Sequence, residues 1–337
     1  MSRNGNKQLG EAKKNKKDEF YTQLSDIERE LRHYEHHFKG KTVLCNCDDP
    51  RVSNFFHYFS YKFNDLGLKR LITTCYKNQD RDLFSQNNSE RAIWLEYIGD
   101  KNGNRVPDPE EIGIRYFKGD GDFRSAECIE LLKQADVVVT NPPFSLFLEY
   151  VRQLMKYDKK FLIIGPQNAI HYKETFDYIM SNRMWLGYGF SAGNAYFSIP
   201  TENVRAFASG VYDPKTGLVK FRNCTWFTNL DHMKRHEEYV FIRRYKQEDY
   251  PMYSNLDAID VNKVADIPED WFGLMGVPDT FLEKYNPEQF EIVGLGSGDL
   301  AKQIGVTKNF RGRTDVAYKI DGKDKCPYSR IIIRRRR

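Results

Sequence analysis

The residues Asn141, Pro142, Pro143 and Phe144 have the types and spacing needed to hold an amine. They follow the apolar run 137–139, which predicts a buried strand, so they lie at a strand's carboxyl end, where ligands of open α/β sheets bind. The prolines hold the asparagine backbone extended, so that its side-chain amide oxygen and a backbone carbonyl can point the same way. Two such acceptors suit the exocyclic amine of adenine or cytosine, and the phenylalanine would stack on the base.

The chemistry that this arrangement favours is alkylation of the amine. The nitrogen is a poor nucleophile because its lone pair is delocalised into the ring, and two hydrogen bonds turn that lone pair out of the ring plane. The pattern Asn/Asp/Ser-Pro-Pro-aromatic is the motif of amino-methyltransferases, which use S-adenosylmethionine. The competing interpretation is a rigid loop without a catalytic role.

The elements around the motif alternate between strands and helices, which is typical of βαβ units and a parallel sheet. Strands are predicted over residues 41–47, 69–76, 113–123, from 136 up to the motif, and over 160–165; helices are predicted over 25–38, 51–63, 125–135, 146–157 and 174–183. Residues 77–110 are polar with turn signals. Beyond residue 184, strand-like pieces at 184–190, 195–200, 223–230 and 237–245 are expected to complete the sheet with antiparallel edges.

Composition and charge limit the class of protein. With 337 residues, 40% of them apolar, the chain can bury a full core, and no window is apolar enough for a membrane span. The amino-terminal stretch has no apolar run and does not predict a signal peptide, so a cytoplasmic protein is expected. Residues 1–17 hold six basic residues against one acidic residue, and the chain ends in Ile-Ile-Ile-Arg-Arg-Arg-Arg. These are either solvated termini or ends that suit a polyanion.

The six cysteines fit a reducing compartment and do not predict a metal site. Cys45 and Cys47 form a C-x-C pair, but no second pair or histidine follows at the spacing of zinc ligands. They are interpreted as small residues that close a strand, and no metal is expected.

A resemblance to a known family extends these observations. The segments 16–23, 45–56, 119–125, 136–147, 157–164, 275–282 and 286–292 occur in order and together resemble the EcoRI-type modification methylases. The resemblance implies an S-adenosylmethionine-dependent α/β fold, Rossmann-like, with a mixed seven-stranded sheet. It further implies a site-specific adenine-N6 DNA methyltransferase of a restriction–modification system that flips its target base out of double-stranded DNA, with GAATTC as the suggested target. It implies no obligate protein partner and is compatible with a monomer.

The resemblance also assigns residues. Asn141 and the Pro142 carbonyl would bind the adenine amine, with Pro143 as the rigid spacer and Phe144 as the stacking aromatic. The cofactor would be bound by the segment Phe20, Tyr21 and Thr22, by Asn46, Asp48 and Asp49 after the first strand, and by Asp122 and Phe123, which match the pair that holds its adenine. The loop after the first strand lacks the usual Gly-x-Gly, and Asp120 competes with Asp122 for its role. A second stacking aromatic is expected from 185–227, with Tyr196, Phe197 and Trp226 as candidates, each more typical of a core.

The chain is expected to divide into three segments, and three alternative functions stay open. Residues 1–17 are predicted to form a basic flexible tail, residues 18–245 the catalytic domain, and residues 246–337 a smaller carboxyl-terminal portion for target recognition. The alternatives are an RNA amino-methyltransferase, a protein-glutamine amino-methyltransferase, and a catalytically dead DNA-binding relative. An intact Asn-Pro-Pro-Phe argues against the last of these.

Overall fold

The fold is described from a computed structural model, over residues 21–47, 53–76, 92–104, 107, 111–198 and 210–337. Its helices are α1 (Leu24–Leu31), α2 (Asn54–Tyr61), α3 (Ala126–Gln134), α4 (Phe147–Lys156), α5 (Lys173–Met180) and α6 (Gly298–Gln303). None of these described helices is long and apolar enough to cross a membrane.

Eighteen short strands are described alongside them. They are β1 (Tyr21–Thr22), β2 (Thr42–Asn46), β3 (Arg70–Cys75), β4 (Ile93–Tyr97), β5 (Ile112–Tyr116), β6 (Val137–Thr140), β7 (Lys160–Pro166), β8 (Trp185–Leu186), β9 (Ala195–Ser198), β10 (Tyr212–Asp213), β11 (Leu218–Phe221), β12 (Cys224–Thr228), β13 (Ala258–Asp260), β14 (Leu274–Pro278), β15 (Phe290–Leu295), β16 (Tyr318–Ile320), β17 (Lys323–Lys325) and β18 (Arg330–Arg335).

The largest sheet has the order β5-β4-β3-β2-β6-β7-β12-β8. Its four middle strands, β3, β2, β6 and β7, are parallel neighbours, and antiparallel strands lie on both sides of them. Every residue of β2 and β6 is buried, because helices cover both faces of a parallel sheet. The predicted α/β class, with antiparallel edges on a parallel centre, is confirmed.

The described sheet has eight strands, whereas seven were expected. β4 was missed because it lies inside the polar, turn-rich stretch 77–110. Its side chains alternate between buried and half-buried positions, as in a strand that has only one fully covered face. The strand predicted over 113–123 ends at Tyr116 and pairs antiparallel with β4.

Two of the later strand-like pieces do not join this sheet. β9, within the piece 195–200, pairs with β1 and β11 in a separate four-stranded sheet of order β1-β9-β11-β10. The piece 237–245 forms no strand, and its one β-bridge joins Arg243 to Pro268. Its alternating pattern was therefore wrongly interpreted as a sheet strand.

Helix α4 packs tightly against the sheet directly after the Asn-Pro-Pro-Phe motif. Phe147 is fully buried and lies over Gly165 of β7, where an added Cβ would stand 2.2 Å from the ring. The same ring packs against Phe227 of β12, with 5.0 Å between centroids. Only glycine at position 165 allows this close approach, which sets the position of the helix against the sheet.

Helix α1 anchors the segment that leads from β8 towards β9. The buried carboxylate of Glu30 accepts hydrogen bonds from the backbone N–H groups of Tyr188 and Gly189, at 2.7 and 2.9 Å, and from the hydroxyl of Tyr34 at 3.0 Å. A buried carboxylate is stable only when it is satisfied in this way. The anchoring keeps Tyr188 and Phe190 packed against the core.

The chain divides into two compact units. One contains the residues up to Ile170 together with Leu186–Leu230, and the other contains His171–Trp185 and Asp231–Arg337. The second unit has its own sheet of order β13-β14-β18-β15 and its own apolar core. The expected functional division at residue 245 stays a prediction.

Candidate active site

The Asn-Pro-Pro-Phe motif lies at the point where the strand order of the large sheet reverses. From β2 the chain passes to β3 on one side, and it later returns to place β6 on the other side of β2. Ligands of open α/β sheets bind at the carboxyl ends of the strands beside such a reversal. Asn46 ends β2 and Asn141 directly follows β6, so the topology brings these two predicted site residues to one crevice.

Hydrogen bonds tie the two strand ends together. The Thr140 hydroxyl donates to the carbonyl oxygen of Asn46, and the Tyr150 hydroxyl of α4 donates to Asn46 Oδ1. Tyr150 is buried, and burial raises the pKa of its phenol well above the usual value, so the group stays a proton donor. Neither Thr140 nor Tyr150 was predicted to matter, although both lie within six residues of the motif on either side of it.

The motif itself is partly buried. Asn141 is 7% exposed and Pro142 is buried, whereas Pro143 and Phe144 are half-buried. Pro143 has φ −55° and ψ 124°, after which residues Phe144–Leu146 form a 3-10 turn that leads into α4. Asn141 therefore lies at the buried end of β6, and Phe144 is the first residue of the turn that follows.

Among the described residues, an aromatic neighbour of Phe144 is Phe221, which was not among the predicted candidates. The two ring centroids lie 6.5 Å apart with planes at 76°, and Phe221 in turn packs on Phe197 at 5.4 Å. Phe197 and Trp226 are fully buried core residues, while Tyr196 is 39% exposed and lies beneath the Lys220 ammonium. Phe221 ends β11, inside the 185–227 region from which a second aromatic was expected.

Asp122 and Phe123 lie on a loop that is docked on α4. The Phe123 ring is buried against Tyr150, at 5.0 Å between centroids, and its carbonyl oxygen accepts a hydrogen bond from Gln153. Asp120 accepts the backbone N–H of Asp122 and so stabilises the turn. Asp122 Oδ1 in turn accepts the backbone N–H of Arg124 at 2.8 Å, so both competing aspartates take part in the hydrogen bonds of this turn.

The Asp122 carboxylate is engaged by Arg124. Nε and Nη2 of the guanidinium donate to the two carboxylate oxygens at 2.9 and 2.7 Å, and Nη1 reaches Glu149 of α4 at 2.9 Å. These hydrogen bonds raise the pKa of Arg124 above its usual value. An adenine amine bound by Asp122 would share the carboxylate with Arg124, a partner that the sequence did not reveal.

Thr22 supplies a polar atom that suits a ligand. Its hydroxyl is buried and has no hydrogen-bond partner among the described residues, which is a costly state for a polar group. The carbonyl oxygen of Thr22 accepts a hydrogen bond from Asn54 at 2.7 Å, and Asn54 is the first residue of α2. Tyr21 and Thr22 therefore lie beside the start of the helix that follows β2.

Three predicted cofactor residues, Phe20, Asp48 and Asp49, lie outside the described residues. Cys47, the last described residue before the two aspartates, has a φ of 79°, in the left-handed region. Related cofactor loops use glycine for such a conformation. The buried Thr22 hydroxyl, the strand reversal and the Asp122–Phe123 loop together fit a bound nucleoside-containing cofactor.

No metal centre is evident in the part of the chain that is described. No group of three or more histidine, cysteine, aspartate or glutamate side chains lies close enough there to hold an ion. Cys45 is buried, and all six cysteines are free thiols.

Comparison with known proteins agrees with the family resemblance seen in the sequence. A family model for the adenine-specific methyltransferase EcoRI matches residues 8–336. Type II methyltransferase M.EcoRI of Escherichia coli is 46% identical over 342 residues, covering 100% of this chain and 99% of that protein. Type II methyltransferases M.MgeORF184P of Mycoplasma genitalium and M.MpnI of Mycoplasma pneumoniae are 37% and 35% identical, each over 96% of this chain and 97% of the relative. No solved structure matched. The resemblance expected from the sequence is confirmed.

Gly121 gives a test of the Asp122–Phe123 loop. Its φ is +75°, and an added Cβ would stand 2.6 Å from the Cys75 carbonyl oxygen and 2.7 Å from the Ala92 Cβ. We expect Gly121→Ala to lower the free energy of unfolding by about 1–2 kcal/mol for the left-handed backbone and by about 1–3 kcal/mol more for overpacking. If this loop holds the cofactor that the sequence predicts, the variant should also bind S-adenosylmethionine more weakly in calorimetry.

The matched control is Gly103→Ala. Gly103 has a similar φ of +80°, but its Cβ would meet nothing within 4 Å. This variant should lose only the backbone contribution and keep its cofactor affinity. Equal losses of stability in the two variants would show that the close packing at Gly121 does not hold the loop.

Proposed function

The chain belongs to the EcoRI family of adenine-specific methyltransferases, and from that premise we propose that it methylates adenine N6 in double-stranded DNA. The donor is S-adenosylmethionine, the target adenine lies in a specific sequence and is flipped out of the duplex, and the product protects DNA from a cognate restriction enzyme. The names of the relatives, type II methyltransferases, support DNA over RNA or protein glutamine as the acceptor.

The observation that carries the proposal is the position of Asn-Pro-Pro-Phe at the strand reversal. A buried asparagine amide at the end of β6 and a half-buried phenylalanine in the following turn lie beside the end of β2. A base that entered this crevice would meet acceptors at its edge and an aromatic ring at its face. This is the pair of interactions by which a flipped base is held.

The chain's own contribution to the reaction is to orient the amine. The Asn141 side-chain oxygen and the Pro142 carbonyl oxygen accept the two hydrogens of adenine N6, so that the nitrogen lone pair turns out of the ring plane. Because the strand end and the prolines fix both acceptors before the base arrives, little reorganisation is needed during the reaction. The proton released from nitrogen passes to water.

The cofactor lies, in this proposal, on the Rossmann-like centre of the sheet. Tyr21, Thr22, Asn46, Asp122 and Phe123 are the described residues that would hold it, with Phe20, Asp48 and Asp49 completing the set. When bound, S-adenosylmethionine supplies an electrophilic methyl group. Asn46 Oδ1 already accepts from Tyr150, so Asn46 is proposed to shape the site rather than to contribute that oxygen to the ligand.

The roles proposed for the two ends of the chain follow from their charge and position. We propose that residues 1–17, which lie outside the described residues, neutralise DNA phosphates without reading bases. Residues 246–337 are proposed to contribute to target recognition, and a monomer in the cytoplasm is the proposed working state.

Asn141→Ala is expected to lower the rate of methyl transfer by 10² or more, because positioned hydrogen-bonding groups typically contribute that much. Binding of duplex DNA and of S-adenosylmethionine should stay close to wild type, since the side chain acts on the amine. The measurement is single-turnover transfer of labelled methyl to a duplex, at saturating concentrations.

The matched controls are Asn141→Asp and Asn141→Ser. Both residues occur at this place in the motif and retain an acceptor oxygen, so measurable transfer should remain in each. An alanine variant that keeps more than about a tenth of the wild-type rate contradicts the assignment of Asn141, given the expected 10²-fold effect.

Phe144→Ala is expected to lose roughly 1–3 kcal/mol of base-holding energy, the range for stacking of a base on an aromatic ring. Phe144→Tyr should keep most of the activity, because it keeps the π-face. The flipped state is measured by the fluorescence of 2-aminopurine at the target position, which rises when the base leaves the duplex stack. A stably folded alanine variant with wild-type flipping and turnover would remove the stacking role.

A further inference from the structure

The carboxyl-terminal arginines of the second unit are not equivalent. Arg334 donates to Glu291 of the neighbouring strand β15 at 2.7 Å, and Arg336 donates to the carbonyl oxygens of Pro287 and Phe290 at 2.8 and 3.2 Å. These two guanidinium groups are therefore used within the unit. Successive residues of a strand point to opposite faces, so the intervening arginine, Arg335, lies on the other face.

The Arg335 guanidinium lies over two aromatic rings. Its guanidinium carbon lies 4.2 Å from the ring centroid of Phe241 and 5.1 Å from that of Phe272, and Arg337 lies 5.9 Å from the Phe272 ring. No carboxylate pairs with Arg335 or Arg337 among the described residues. A guanidinium held by its faces keeps its N–H donors at the edge of the plane, where they remain available.

The aromatic support is itself fixed. Phe241 packs on Tyr239 and on Phe290, at 5.0 and 5.9 Å between centroids, and Phe290 is fully buried. Phe272 is 41% exposed, so this face of the stack is open to solvent. The arginine side chain is thus supported by one ring, Phe241, that is packed on the core, which lowers the entropy lost when it binds a ligand.

Three acids of the second unit, close in the chain to the supporting rings, are paired with other arginines. Asp266 is paired with Arg243 at 3.5 Å, Glu269 with Arg244 at 3.8 Å, and Glu291 with Arg334. Arg335 and Arg337 have no ion-pair partner among the described residues. A planar guanidinium with free edge donors is well suited to the two oxygens of a phosphodiester.

We propose that Arg335 and Arg337, supported by Phe241 and Phe272, form a binding site for backbone phosphates of double-stranded DNA. The inference rests on the proposed function, since it names a contact with the same substrate. The site contributes affinity and orientation and does not read bases, because phosphate contacts carry no sequence information. Arg334 and Arg336 have no such role.

The test compares Arg335→Gln, Arg337→Gln and the double variant of the full chain with Arg334→Gln as a matched control. Affinity is measured for a duplex containing GAATTC and for one with the same bases in scrambled order, across a range of salt concentrations. Each lost phosphate contact should reduce the slope of log affinity against log salt by about 0.9. Affinity should fall by the same factor for both duplexes in the double variant, and Arg334→Gln should keep the wild-type slope.

Two additions separate an effect on DNA binding from an effect on folding: the variant Arg335→Lys, and thermal unfolding of every variant. The lysine variant keeps the charge but loses the stacked plane, so its slope should be retained while its affinity falls for both duplexes. An unchanged slope in a folded double variant, an equal change in Arg334→Gln, or a loss confined to the GAATTC duplex would overturn the inference. A wild-type chain that bound no duplex would instead contradict the proposed function itself.

Discussion

The joining of β2 to β6 at their carboxyl ends is the constraint on which the rest of the site depends. Asn46 receives a hydrogen bond at its backbone carbonyl from Thr140 and one at its side chain from Tyr150, and all three residues are buried. Parallel strands by themselves fix only where a crevice lies. These hydrogen bonds also fix the distance between the first strand end and the Asn-Pro-Pro-Phe motif, because the donors stand on either side of that motif in the chain.

Helix α4 extends the same constraint to the remaining elements. Tyr150 faces both Asn46 and Phe123, Glu149 binds Arg124, and Gln153 binds the Phe123 carbonyl oxygen. The helix therefore holds the loop that would bind the cofactor's adenine and, through the turn at its own start, the residues that would bind the target amine. A proposed two-substrate site is in this way organised by one helix of ten residues, whose position against the sheet is set by Phe147 over Gly165.

The sequence alone predicted the strands whose formation depends on a local pattern of residues. Continuous apolar runs predicted β2, β3, β6 and β7, because a parallel strand covered on both faces has no polar side. The sequence did not predict the strands whose place in a sheet depends on pairing with distant parts of the chain. β4 carries only a half-apolar alternation, and β9 joins a different sheet from the one expected. Phe221 entered the site only through folding, since no local pattern marks a ring that will face Phe144. Arg124 lies only two residues from Asp122, but its contact with that carboxylate was not predicted.

The central claim is that the acceptor is the N6 amine of adenine in double-stranded DNA. The direct measurement is incubation of the purified chain and unmethylated duplex DNA with S-adenosylmethionine carrying a labelled methyl group, followed by mass spectrometry of the released nucleosides. The account predicts label in N6-methyladenine, with none in cytosine, and none in RNA or protein offered under the same conditions. Label in N4-methylcytosine, in RNA or in glutamine, with none in adenine of the duplex, would contradict it.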